Sequence, residues 1–197
     1  MIREVAVVMV LQATVLALLV AAYNRFAQTT RLVRQFGTSS TDWGADIAVD
    51  GSGNVYVTGG TKGRLDGNPS AGGADIFVAK YSGTGRRQWV RQFGTGSRDA
   101  GNGIAVDGSG NVYVTGETLG MLDGNLWGRW GVFVVKYSGT GRRQWVRLFG
   151  TGSRDAGNGI AVDGSGNVYV TGGTLGMLGG NTWGGADIFI WFLETPN

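Results

Sequence analysis

The sequence predicts an all-β fold built from three similar units, with one hydrophobic helix in front of them. The run IAVDGSGNVYVTG occurs three times, beginning at Ile47, Ile104 and Ile160, so successive copies lie 57 and 56 residues apart. Glycine supplies 38 of the 197 residues, yet residues 1–36 contain none. Because the chain is also 42% hydrophobic, we expect a packed core, with the glycines at the turns between strands.

Residues 1–30 are predicted to form the hydrophobic helix. Within them, residues 5–22 are apolar except for Gln12 and Thr14 and carry no charge. A helix of this length spans most of a bilayer core, which is about 30 Å thick. We therefore expect a signal peptide, a membrane anchor that makes the membrane a partner through residues 5–22, or a helix buried in an assembly.

The run MIREVAVVMVLQATVLALLVAAYNRFAQTT resembles the N-terminal helix of type IV pilins. The similarity lies in the Met start, the acidic Glu4, the long apolar run and the Ala-Ala-Tyr-Asn exit. In pilins the acidic residue is normally the fifth of the mature chain, whereas here it is the fourth. The resemblance implies a helix that supports assembly.

Each copy of the repeat contains four stretches rich in Val, Ile, Tyr, Phe, Trp and Thr, which favour β-strands. In the second copy these stretches cover residues 103–107, 111–116, 132–137 and 144–149. The segments between them are rich in Gly, Asn, Asp and Ser, as turns require. Val112 and Val114 lie on one face of the second strand and Tyr113 on the other, so both faces must be covered.

Four-stranded antiparallel units that cover one another on both faces are the blades of a β-propeller. We therefore predict a propeller region over residues 31–197. Its blades are expected at residues 45–93, 102–149 and 158–193, the third of which lacks its last strand. Residues 31–37 resemble that missing outer strand and precede the first blade as an orphan.

The order of these segments identifies a family resemblance. The run that combines FGT, GIAVDGSGNVYVTG, FVVKYSGTG and QW resembles the SBBP-type β-propeller repeat of bacterial surface and secreted proteins. The resemblance covers residues 31–197. It implies a fold far more than an activity, because propellers carry many functions.

Three blades are fewer than the four to eight of a closed propeller, so the sequence predicts self-association. One chain is expected to donate the strand Leu32–Gly37 to the incomplete third blade of another chain. Two chains would close a six-bladed ring, or the same contact would repeat as an open filament. The residues assigned to this assembly are Leu32, Val33, Phe36, Phe189 and Trp191.

The composition argues against catalysis. The chain contains no His and no Cys, which excludes catalytic triads that use His, Cys nucleophiles and thiolate or imidazole metal sites. No carboxylate stands out as a single acid in a distinctive context. The net charge of +3 is small and no dense basic stripe is visible, so nucleic acid is not an expected partner.

Two kinds of residue are candidates for ligand binding. The turns Asp50-x-Ser52-x-Asn54, Asp107-x-Ser109-x-Asn111 and Asp163-x-Ser165-x-Asn167 have oxygen ligands at alternate positions, as in the first half of a calcium loop, or are simply tight turns. The loops between the second and third strands carry Trp127, Trp130 and Trp183. These rings could stack on a glycan or pack in a core or interface.

We therefore expect a non-catalytic structural protein, exported to the cell surface or the extracellular space. Strand exchange between chains and the N-terminal helix would drive its assembly, and exposed loops could serve adhesion. The alternative function is a secreted carbohydrate-binding module of the lectin kind. No cofactor is expected, apart from calcium in the turns.

Overall fold

The computed structural model describes residues 15–18, 32–122, 125–180 and 184–193, with the side chains of residues 125–129 excepted. The chain divides into two units, residues 1–35 and 36–197. In the first unit, residues 15–18 are helical, and Val15, Leu16 and Leu18 are more than half exposed. The rest of the predicted helix over residues 1–30 lies outside the described residues. Among the helices that are described, none has the length and apolar character needed to cross a membrane.

The second unit is all-β, and its strands form three separate antiparallel sheets. Each sheet is a simple meander in which neighbours in sequence are neighbours in space. We call the sheets blades 1, 2 and 3. Blade 1 contains β1 (Asp42–Val49), β2 (Val55–Thr61), β3 (Asp75–Tyr81) and β4 (Arg87–Phe93), with a short 3-10 helix at Leu65–Gly67. Blade 2 contains β5 (Asp99–Val106), β6 (Val112–Leu122), β7 (Asn125–Tyr137) and β8 (Arg143–Phe149), and blade 3 contains β9 (Asp155–Val162), β10 (Val168–Thr174) and β11 (Asp187–Leu193).

Each blade begins three residues earlier than its predicted range. The blades were predicted to begin at residues 45, 102 and 158, whereas their first strands begin at Asp42, Asp99 and Asp155. The carboxylate of Asp99 is fully buried and accepts hydrogen bonds from the backbone and hydroxyl of Thr95 and from the hydroxyl of Thr118. This network holds the start of β5, which was predicted to precede the strand, against the neighbouring strand β6.

The second and third strands of blade 2 are longer than predicted. Trp130 pairs with Leu119, and the ladder continues until Asn125 pairs with Leu122. Trp127 and Trp130 therefore lie on β7 and not in a loop. The two strands remain paired through the glycine-rich residues that were predicted to form a loop between them.

Residues 32–37, which were predicted as an orphan strand, have no assigned strand in the described structure. Within the second unit, β11 pairs with β10 along one edge, and no described strand pairs with its other edge. Blade 3 therefore has three strands among the described residues, where blades 1 and 2 have four.

The core lies between the blades. We call the face of a blade that is turned toward the preceding blade its front face, and the opposite face its rear face. Tyr56, Ile76 and Val78 on the rear face of blade 1 pack against the front face of blade 2, which includes Ile104 and Val114. Val132 and Val134 on the rear face of blade 2 belong to a second cluster with Val168, Val170 and Phe189 of blade 3. Period-two alternation along each strand supplies both faces, and the repeat makes the two junctions similar.

Candidate interaction surface

One aromatic contact recurs at every blade junction. Phe93 at the outer edge of blade 1 meets Phe133 of blade 2 with ring centroids 5.9 Å apart at 85°. Phe149 meets Phe189 of blade 3 in the same way, at 5.0 Å and 86°. Phe36 packs on Phe77 of blade 1 at 5.6 Å and 89°. These are edge-to-face arrangements, which aromatic pairs prefer. Phe36 therefore stands in front of blade 1 as Phe93 stands in front of blade 2.

The rear face of blade 3 is open. The equivalent positions in blades 1 and 2 are fully buried, and they are Ile76, Val78, Val132 and Val134. In blade 3, Ile188 is 86% exposed and Ile190 is 64% exposed. Phe192, one alternation further along β11, is 69% exposed. The same strand positions are therefore core in two blades and surface in the third.

The front face of blade 1 is partly open as well. Ile47 and Val49 on β1 are 62% and 59% exposed. Their counterpart in blade 2, Ile104, is 5% exposed because blade 1 covers it. Phe77, Ala79 and Tyr81 of blade 1 are buried, so the open part of this face is along the first strand. The two end blades thus expose the surfaces that the interior junctions bury.

A cavity of about 500 Å³ lies beside β11, next to the strand edge that no described strand covers. Phe189 and Trp191 line it and also pack on Phe149, with centroids 5.0 and 4.2 Å away. These two predicted assembly residues therefore point toward blade 2. The exposed apolar side chains of the strand are Ile188, Ile190 and Phe192 on its other face, which the sequence analysis did not name.

The predicted assembly residues of the first unit are exposed. Leu32 is 48% exposed and Val33 is 79% exposed. The repeat places Val33 at the position of Val90 and Val146, which are 3% and 9% exposed within their blades. An outer-strand valine is therefore buried wherever its strand is paired in the described structure.

The Asp-Gly-Ser-Gly-Asn turns form closed hydrogen-bond networks. The Asp107 carboxylate accepts bonds from the backbone N–H groups of Ser109 and Asn111, from the Asn111 side chain and from the Tyr113 hydroxyl, at 2.8–3.0 Å. The Asp50 and Asp163 turns repeat the arrangement. This geometry is that of a tight hairpin turn. The donors to the carboxylate come from the turn itself and from the tyrosine that follows it.

The hydrogen bonds of these turns set the pKa values of their carboxylates. Burial alone raises the pKa of Asp50, but bonds from Asn54 and Tyr56 outweigh it and lower the pKa to about 2. Side-chain bonds from the equivalent Asn and Tyr lower the pKa of Asp163 to about 2. The pKa of Asp107 is lowered for the same reason, against the effect of burial. The ionised form of each carboxylate is therefore part of the folded turn.

The same turns were predicted as candidate calcium loops. Among the described residues, no three acidic side chains come together as a metal-binding group. Binding of calcium by these turns stays a prediction.

The tryptophan candidates are only partly described. The guanidinium carbon of Arg154 lies 5.1 Å from the centre of the Trp130 ring, which is cation–π distance. The side chain of Trp127 and the whole of Trp183 lie outside the described residues. The structure therefore assigns a contact to Trp130, and glycan binding by the three rings stays a prediction.

Glu117 is a residue that the sequence analysis passed over. It is 6% exposed, and its carboxylate lies 3.9 Å from the guanidinium of Arg98 and 3.5 Å from that of Arg154. It also lines a cavity of about 470 Å³ between blades 2 and 3. The other two blades have Gly60 and Gly173 at this position. The sequence could have identified this residue, because Glu117 is the member of the three repeats that has a carboxylate where the other two have glycine.

Comparison with known families gives one result. The model described as SBBP, a beta-propeller repeat, matches residues 33–66, 88–122 and 144–177, which are just over half of the chain. Each matched segment begins at an outer strand or its equivalent and ends at or just after the end of the second strand of the following blade. The first match therefore aligns residues 33–37 with the outer strands β4 and β8. No curated protein is similar enough to the chain to count as a match.

Proposed function

The chain belongs to the SBBP beta-propeller repeat family, and on this basis we propose that it is a non-catalytic structural protein that assembles with copies of itself. Its assembly surfaces are the rear face of blade 3 and the front face of blade 1. Its place of action in this proposal is the cell surface or the extracellular space, with the hydrophobic N-terminal segment supporting attachment or assembly.

One observation carries the proposal. Ile188 and Ile190 are 86% and 64% exposed, whereas the four equivalent residues of blades 1 and 2 are fully buried. Burial of a side chain of this size contributes about 1.5–3 kcal/mol. A contiguous apolar face on a folded domain marks an interaction site more often than it marks a tolerated surface.

The best partner for this face is a second copy of the chain. In the described structure, the rear face of blade 1 is covered by the front face of blade 2. A second copy offers the front face of its own blade 1, where Ile47 and Val49 are exposed. The contact between copies would then repeat the junction that already exists inside each copy.

Such a contact is head-to-tail, because the front face of one copy meets the rear face of the next. Head-to-tail contacts produce a ring when the rotation closes and a filament when it does not. Both outcomes follow from the same interface.

The proposal is tested on the purified full-length chain in mild detergent. We expect the mass measured by light scattering to exceed the 20.7 kDa of one copy and to rise with concentration. Electron microscopy then distinguishes rings from filaments. The variant Ile190→Lys places a charge on the rear face of blade 3. Because assembly would remove water from that charge, the measured mass of the variant should stay at that of one copy.

Met177→Lys is the matched control. Met177 is 65% exposed, and its equivalent Met121 in the interior blade is 54% exposed, so neighbouring blades do not cover this position. Met177→Lys should assemble like the unmodified chain. A full-length chain that remains at the mass of one copy at every concentration would rule the proposal out, and equal loss of assembly in both variants would contradict the assigned face.

A further inference from the structure

One glutamine adds side-chain hydrogen bonds between the outer strand of blade 1, the strand β3 and the segment after β2. Gln92 donates from Nε2 to the Asp75 carboxylate and to the carbonyl of Gly63, each at 2.8 Å. Its Oε1 accepts a hydrogen bond from the backbone N–H of Leu65, also at 2.8 Å. Gln92 is 9% exposed and Asp75 is fully buried. The Asp75 oxygen that accepts from Gln92 also accepts from the backbone N–H of Ala71 at 3.1 Å, so Gln92 supplies a side-chain donor to a buried carboxylate.

Blade 2 lacks both members of this pair. The repeat places Gly131 at the position of Asp75 and Leu148 at the position of Gln92. Leu148 packs against the apolar cluster between blades 1 and 2. The two positions therefore change together within one chain, either as aspartate with glutamine or as glycine with leucine.

Blade 3 has the aspartate form of the site. Residues 184–189 read GGADIF, which is identical to residues 72–77 and unlike GRWGVF at residues 128–133. Gly176, Leu178 and Asp187 occupy the positions of Gly63, Leu65 and Asp75. Leu178 and Asp187 line the cavity of about 500 Å³ beside β11. The counterparts of Leu65 and Asp75, two of the three partners of Gln92, therefore line this cavity.

The matching glutamine lies in the segment before blade 1. Residues 33–38 read VRQFGT, which is identical to residues 90–95 of blade 1 and differs from VRLFGT at residues 146–151. Gln35 takes the place of Gln92, and it is exposed. The segment therefore has the sequence of an outer strand that belongs to an aspartate-type blade, and blade 3 is such a blade.

The order of the blades favours a segment from a second copy. In the interior junction, Phe93 pairs with Ile76 of its own blade while its ring packs on Phe133 of the next blade. Phe36 already packs on Phe77, at the front of blade 1. Blade 2 separates that position from blade 3 within one copy. The blade that precedes blade 1, and to which residues 32–37 would add an outer strand, is therefore the third blade of another copy.

We propose that the cavity beside β11 receives residues 32–37 of a second copy, and that Gln35 of that copy recognises Asp187. This inference rests on the proposed self-assembly and specifies its partner and its register. The pairing in blade 1, where Ile76 faces Phe93, Val78 faces Arg91 and Lys80 faces Trp89, supplies the register. In the assembled protein, Ile188 faces Phe36, Ile190 faces Arg34 and Phe192 faces Leu32.

The residues of blade 2 provide a substitution test of the recognition. Gln35→Leu leaves the Asp187 side chain without its glutamine donor in the assembled state, and Asp187→Gly leaves Gln35 without its acceptor. We expect each single variant to weaken assembly about tenfold or more in concentration. The double variant reproduces the Leu148 and Gly131 combination and should recover most of the assembly. Circular dichroism of each variant checks that the single copy still folds.

A cross-linking experiment tests the register. Because the chain has no cysteine, an Arg34→Cys chain and a tagged Ile190→Cys chain carry one thiol each when they are mixed. We expect oxidation to give a disulfide-linked pair of one tagged and one untagged chain. A mixture of Val33→Cys with Ile190→Cys, which is shifted by one residue, should give far less.

The outcomes separate this inference from the proposed function. If the unmodified chain does not assemble, the proposed function fails, and this inference fails with it. If it assembles but Gln35→Leu and the double variant behave like the unmodified chain, recognition by Gln35 is wrong. If it assembles and the shifted mixture cross-links as well as the matched one, the register is wrong. Recovery in the double variant with register-specific cross-linking supports both.

Discussion

The rings of Phe93 and Phe133 meet at 85° with their centroids 5.9 Å apart, and this contact joins blade 1 to blade 2. Phe133 is completely buried. It lies in a cluster that includes Ile76 and Val78 from one blade and Val114 from the other. The contact is therefore a central part of the stacking that holds consecutive sheets together.

Phe133→Ala should destabilise the fold by about 3–5 kcal/mol, because the substitution removes a buried ring and leaves a cavity between the blades. Urea denaturation followed by circular dichroism measures the change in the free energy of unfolding. Met177→Ala, at a position that is 65% exposed, is the control and should change it by less than about 0.5 kcal/mol. Similar midpoints for the two variants would show that Phe133 is not part of the stacking core.

Gly116→Ala should also destabilise the fold. A Cβ at Gly116 would overlap the carbonyl oxygen of Ala100 and lie 2.8 Å from the ring of Phe133. Because the backbone of β5 cannot easily move away, we expect a loss of about 1–3 kcal/mol or more. Gly108→Ala is the matched control, since no atom lies within 4 Å of its added Cβ. Thermal unfolding of both variants measures the difference, and an unchanged midpoint for Gly116→Ala would contradict the close approach.

The stability of the fold should decrease as the pH falls from about 4 to about 2. Hydrogen bonds lower the pKa of Asp50 and of Asp163 to about 2, below the ordinary value of 3.8. A carboxylate whose pKa is lower in the folded state stabilises that state fully above the unfolded pKa. This stabilisation is lost as the pH falls through the folded pKa. Urea denaturation at several pH values in this range measures the effect.

Asp50→Asn should be less stable than the unmodified chain at pH 7 and should lose less on acidification. Ser52→Ala is its control, because Ser52 contributes its backbone N–H to the Asp50 carboxylate and the substitution keeps that donor. An Asp50→Asn variant with the same acid dependence as the unmodified chain would mean that the turn carboxylate does not contribute to it.

Glu117→Gln should cost only about 0.5–1 kcal/mol at low ionic strength. The carboxylate lies 3.5 Å from Arg154 and 3.9 Å from Arg98, but the two arginine side chains are 58% and 60% exposed. Solvent therefore screens the attraction, and the difference between variant and unmodified chain should shrink in 1 M salt, where the screening length is about 3 Å. A loss that salt does not change would point to packing of the side chain instead of charge.

Much of the blade architecture could be predicted from the sequence, because it depends on local patterns. Alternating apolar residues and the Asp-Gly-Ser-Gly-Asn turns specify strands and hairpins wherever they occur, and the three copies of the repeat locate the blades. The errors were at the strand ends. Asp99 lies before the predicted first strand of blade 2, yet its network with Thr95 and Thr118 extends that strand. That network joins residues up to 19 positions apart, which local composition does not reveal.

The sequence did not identify which face of β11 is exposed. Phe189 and Trp191 were predicted as the assembly residues of β11, whereas the exposed apolar side chains of that strand are Ile188, Ile190 and Phe192. Alternation alone shows that the two sets lie on opposite faces, but both sets are apolar. Only the position of blade 2, which packs against Phe189 and Trp191, identifies the face that is left open.

The sequence by itself determined the all-β class, the three repeated units and their turns, since each of these follows from short-range pattern or identity between copies. The tertiary structure alone decided which of several equivalent residues are core and which are surface. The physical reason is that burial depends on a neighbouring blade. Ile76 and Ile188 have the same place in their strands, yet one is covered and the other is 86% exposed.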